Sequence, residues 1–100
     1  MLLIYDKKMD PNTSFKNRSA LSRRRDAIKR YIRSVMVLRN LQYRDLCDQL
    51  LAHDISITEE NLRSKVGKGQ IPGDLLTLLF TILGVNDSAL QDIERLINDQ

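Results

Sequence analysis

The residues best suited to chemistry in this chain lie in the run from Glu59 to Gly69, EENLRSKVGKG. It has only two strong apolar anchors, Leu62 and Val66, four positions apart. Turning both inward, at about 100° per residue, leaves Glu60, Ser64, Gly67 and Lys68 facing outward, flanked by Asn61 and Arg63. These side chains suit hydrogen bonding to base edges. Arginine forks onto guanine, asparagine onto adenine, serine bonds several edges, and glutamate accepts from the amino group of cytosine. Glu60, Asn61, Arg63 and Ser64 are therefore expected to contact bases. Arg44, Lys65, Lys68 and the Arg23-Arg24-Arg25 cluster are expected to hold phosphates. A short helix that buries little of itself serves to present its outer face, the logic of a recognition helix.

Other chemistry is poorly provided for. His53 is the only histidine, and no serine or cysteine nucleophile pattern accompanies it. No glycine-rich phosphate loop follows a strand. Asp45 with Asp48 and Glu59 with Glu60 are pairs that any charged helix face produces. One cysteine, Cys47, and one histidine cannot supply a structural zinc site of Cys/His type, and a single cysteine forms no internal disulfide. The chain is thus expected to have no catalytic residues, no metal site and no cofactor, to act on no small-molecule substrate, and not to be an enzyme.

Charge is distributed unevenly. The formal net charge is only +3, but residues 1–39 hold eleven Lys/Arg against three Asp, a net of +8. Residues 40–70 hold four against five, and residues 71–100 hold one against five. Such asymmetry favours a polyanion at one end. One hundred residues make one domain, and 42% hydrophobic residues with few aromatics imply an aliphatic core. No apolar run approaches the roughly 18–20 residues that span a bilayer, and no secretory signal is visible, so no membrane association and a cytoplasmic location are expected.

Five helices should position these residues, with an arm before them. Residues 1–19 read as an extended N-terminal arm: Leu2-Leu3-Ile4-Tyr5 is strand-like, and Asp10 to Ser14 is a turn or linker cluster. A helix-turn-helix domain is expected over 20–100. Its first helix spans about Ser22 to Arg39, with Ile28, Tyr31, Ile32, Val35, Met36 and Leu38 on the apolar face and Arg23, Lys29, Arg30 and Arg33 opposite. Val37 also falls on that polar side. The second spans about Tyr43 to His53, with Leu46, Cys47, Leu50 and Leu51 inward. The third starts after Thr58, a plausible N-cap, and ends near Gly67-Lys68-Gly69. The fourth opens at Pro72 and ends at Gly84; it is apolar nearly all round and so is expected at the centre of the core. The fifth spans about Asp87 to Asn98, with Leu90, Ile93, Leu96 and Ile97 inward.

On these residues the chain resembles the lambda-repressor-like group of five-helix DNA-binding domains. Leu46-Cys47 with Leu50-Leu51 sits where that group has its first motif helix. Val66-Gly67-Lys68-Gly69, Pro72, Leu75, Leu76 and Leu83-Gly84-Val85 echo the parts that follow. Asn61-Leu62-Arg63-Ser64-Lys65-Val66 with Gly69 is also similar to an uncharacterised bacterial helix-turn-helix-like family with an Asn-Leu-Arg-Asn-Lys-Ile pattern. The resemblance covers about residues 28–85. It implies an all-α fold and double-stranded DNA as partner, with a symmetric homodimer on a palindrome-like site. The connection Ala52 to Ile57 is longer than the group's tight turn, and Glu59 and Glu60 bring negative charge near DNA.

The expectation is a sequence-specific DNA-binding protein, a transcriptional repressor acting as a dimer through the arm, the last helix or both. The main rival is a protein-interaction module such as an antitoxin or inhibitor, with the acidic C-terminal third facing a basic partner. RNA binding is weakened by the scarcity of aromatics for stacking on bases.

Overall fold

The computed structural model describes the backbone of residues 11–99 and the side chains of residues 19–99. Among these residues the chain is all-α, with five helices and no strand: α1 (Pro11–Leu38), α2 (Tyr43–Ala52), α3 (Glu59–Lys68), α4 (Gly73–Leu83) and α5 (Ala89–Asn98). The strand-like stretch Leu2 to Tyr5 lies outside the described residues.

The first helix starts far earlier than its apolar stripe. Asp10 to Ser14 reads as a turn or linker, yet the chain is helical from Pro11 on. Proline is well tolerated in a first turn, and neither glycine nor proline follows before Leu38. No breaker stops the helix from extending beyond its buried face. It stops at Asn40, whose φ of 55° is left-handed. The Leu41 N–H then donates to the Met36 carbonyl at 2.8 Å, closing the end as a Schellman turn.

The remaining helix ends follow local rules. The Gln42 N–H donates to an Asp45 carboxylate oxygen at 2.8 Å before α2. Thr58 Oγ1 accepts from the Asn61 N–H at 3.1 Å and caps α3. Gly69 and Gly84 take left-handed φ values of 63° and 74° after α3 and α4. The expected cap at Thr58 and the expected end at Gly84 are present, and within the run Gly67-Lys68-Gly69 it is Gly69 that ends α3.

Packing is organised around α1, which lies against α5 and α3, while α2 lies against α3 and α4. Ala27, Tyr31, Ile32, Val35 and Met36 of α1 are buried with Leu46, Leu50, Leu62, Val66, Leu79, Phe80, Leu83, Ala89 and Ile93. Tyr31 meets Phe80 edge to face, with centroids 6.2 Å apart. The Tyr31 hydroxyl donates to Asp92 at 2.8 Å, tying α1 to α5. Burial, helped by that bond, pushes the Tyr31 phenol above its ordinary range.

Two expectations about the core are corrected. The first concerns α4, which is apolar nearly all round. It buries only Leu79, Phe80 and Leu83, while Leu75, Leu76, Leu78 and Ile82 are half-covered. It is a flank of the core, and α1 is the centre. The second concerns Leu38, Leu51 and Leu90, each expected inward. They are 82%, 62% and 73% exposed. All three sit within the first or last turn of their helices. A helical stripe continues to the end of its helix, but the neighbour that covers it does not.

Candidate functional site

The middle of the molecule presents α3 as a ridge. Leu62 and Val66 are fully buried and Gly69 is buried behind them, so the helix is held along one line. Glu60, Asn61, Arg63, Ser64 and Lys68 are exposed, and Lys65 is half-buried at its edge. All four expected base-contacting residues are thus accessible, with Asn61 and Arg63 on opposite flanks of the helix. Glu59 and Glu60 occupy the first turn, where the helix dipole favours acids, and Lys65 and Lys68 occupy the last. Gly67, expected to face outward, is turned toward α1: a Cβ built there would stand 3.5 Å from the Arg33 guanidinium.

Arg63 is not free to point in any direction. Its guanidinium carbon lies 5.0 Å from the centroid of the Tyr43 ring, a cation–π contact between α3 and the first residue of α2. The Tyr43 hydroxyl is enclosed and has no hydrogen-bond partner among the described residues. Beside this pair runs a cleft of about 520 Å³ lined by Arg33, Met36, Val37, Leu41, Gln42, Tyr43, Glu59 and Arg63. It lies between the C-terminal half of α1, the turn into α2 and the flank of α3.

The Arg23-Arg24-Arg25 cluster does not form one clamp. These residues lie inside α1, where neighbours in sequence point about 100° apart. Arg23 is exposed. Arg24 pairs with Glu94 of α5, and that hydrogen bond holds the Glu94 carboxyl below the usual carboxylate range. Arg25 is half-buried, with Gly69 against its main chain. Arg44 is exposed in the first turn of α2.

Arg33, Gln42 and Tyr43 belong to this surface and were not singled out by sequence pattern. Arg33 falls on the polar side of α1 together with Lys29 and Arg30, and nothing local separates it from them. The structure does: Lys29 and Arg30 pair with Asp26, whereas Arg33 reaches α3. Cys47 is half-buried, and burial, reinforced by Glu59 and Asp48, pushes its thiol up, as suits a residue packed against the core. His53 Nδ1 lies 3.0 Å from the Gln49 carbonyl at the end of α2, a helix-end role. No group of three or more His, Cys, Asp or Glu among the described residues is placed to hold a metal. No helix among them is long and apolar enough to cross a membrane.

Among the described residues, fold and surface together define a small all-α domain of five helices with a polar ridge and an adjoining cationic cleft. Residues 25–88 match the model of a family described as a domain of unknown function, DUF6471, and the chain belongs to that family. The matched span contains α2, α3, α4 and the cleft-lining part of α1. No curated protein and no solved structure matches the chain.

Proposed function

We propose that this domain binds double-stranded DNA in a sequence-specific manner, as a helix-turn-helix domain of the lambda-repressor-like kind, and serves as a dimeric transcriptional repressor. The observation that supports this most is how α3 is held. Its inner line of Leu62, Val66 and Gly69 is fixed against the rest of the fold, while Glu60, Asn61, Arg63, Ser64 and Lys68 stay exposed. Donor-rich side chains on a rigid exposed helix are what base recognition in a major groove needs. Asn61, Arg63, Ser64 and Glu60 would read bases. Arg44, Lys65, Lys68 and Arg23 would contact phosphates, joined by Arg33 from the far side of the cleft. Arg24 contributes less, since Glu94 already neutralises it.

Random-site selection followed by sedimentation of the complex tests the proposal. One enriched sequence, bound by two copies, is the expected result. Weak affinity without sequence preference would end it. The second reading, a protein-interaction module, is favoured by one observation: Val37 and Leu38, 80% and 82% exposed, stand side by side at the end of α1.

A further inference from the structure

We propose that the cleft between α1, α3 and the start of α2 is a binding site for a small amphipathic monocarboxylate, an apolar body such as a phenyl ring on a short chain ending in one carboxylate. Its volume of about 520 Å³ lies inside the range of roughly 300–1,000 Å³ typical of small-molecule sites. Its lining combines two kinds of surface. Met36, Val37, Leu41 and the Tyr43 ring supply apolar area for the body. Arg33 and Arg63 supply two guanidinium groups, one from each side.

Those two cations select the ligand. Neither is ion-paired among the described residues, whereas Arg24, Lys29, Arg30 and Arg95 each have a carboxylate partner. Arg63 has only the face of Tyr43, and an aromatic face leaves the N–H edge of the guanidinium available. Two unpaired guanidinium groups beside an apolar floor match an anion joined to an apolar body, because charge-assisted hydrogen bonds to carboxylate favour arginine. Glu59 also lines the cleft and leaves a surplus of one positive charge. A single carboxylate balances that surplus, and a dianion such as a phosphate monoester would overshoot it. A simple amine would meet two guanidinium groups and one carboxylate, a net repulsion. The binding of this ligand does not depend on whether α3 reads DNA.

The test uses the full chain, uniformly labelled with nitrogen-15 and free of DNA. It is titrated with 3-phenylpropionate, 3-phenylpropanol and 2-phenylethylamine, which share an apolar body and differ in the head group. Expected is a saturable shift with phenylpropionate, confined to amides in residues 33–43 and 59–67. The alcohol should bind about tenfold more weakly, the equivalent of one lost charge-assisted hydrogen bond, and the amine should not saturate. Arg33→Gln and Arg63→Gln should each weaken the carboxylate about tenfold and leave the alcohol unchanged. Both positions are exposed, so the variants keep the fold, and dispersed spectra verify it. The proposal is overturned if acid and alcohol bind alike, if neither arginine variant alters the carboxylate, or if shifts scatter over the surface without saturating.

Discussion

Gly69 lies directly against the main chain of Arg25. A Cβ built at Gly69 would stand 1.9 Å from the Arg25 carbonyl oxygen, closer than any real contact. The same glycine holds the left-handed conformation that ends α3. One residue therefore terminates the helix and sets how closely α3 approaches α1. Gly69→Ala should cost at least about 1–2 kcal/mol from the left-handed backbone alone, and more because the obstacle is backbone and cannot rotate away. Gly84→Ala is the control. Its φ is similar, but its nearest neighbour is the flexible Arg39 guanidinium at 3.1 Å. Denaturant midpoints should therefore rank Gly69→Ala well below Gly84→Ala, and equal midpoints would refute the close-approach account.

The Tyr43 contact with Arg63 makes opposite predictions for two substitutions. The enclosed hydroxyl of Tyr43 lacks a partner among the described residues, and an unsatisfied buried group costs about 1–3 kcal/mol. Tyr43→Phe should leave stability equal or higher by up to about that amount, and it keeps the aromatic face under Arg63. Tyr43→Leu removes the face and should free the Arg63 side chain. Thermal unfolding measures the first effect, and side-chain relaxation of the Arg63 guanidinium measures the second. Clear destabilisation by Tyr43→Phe would show that the hydroxyl has a partner after all.

The Arg24–Glu94 pair gives a pH signature. The hydrogen bond from Arg24 lowers the folded pKa of Glu94, so the pair stabilises above the usual carboxylate range and is lost as pH falls through the lowered value. Both side chains are about half exposed, so the effect is small and salt weakens it. The wild-type protein and Glu94→Gln should differ slightly near neutral pH at low salt, with curves merging in acid and in high salt. A gap that widened on acidification would have the wrong sign.

DNA binding, if α3 provides it, should separate readout from anchoring. Arg63→Ala should cost roughly 1–3 kcal/mol on the selected site and relax one base position. Arg33→Ala should weaken all sequences alike and lower the salt slope, while Arg24→Ala should do much less, because Glu94 already occupies that side chain. With about 6–10 phosphate contacts, affinity should fall by roughly 10³–10⁵ between 50 and 200 mM salt. Fluorescence anisotropy across that range decides it, and a flat response would exclude phosphate anchoring.

The sequence by itself determined the helices and most of their ends. Thr58, Gly69 and Gly84 act through bonds to residues three to five positions away, so their roles are legible in a short window. Leu62 and Val66 are buried as their four-residue spacing requires. Only the tertiary structure decided which parts of each apolar stripe are covered. Leu38, Leu51 and Leu90 obey helical period and are still exposed, because burial depends on a neighbour whose length and crossing point no local pattern encodes. The same holds for charge. Arg24 meets Glu94 seventy positions away, and Arg33 and Arg63 come to line one cleft from different helices. Such pairings follow from how α1 lies against α5 and α3, and that is fixed by the shapes of whole helices in contact.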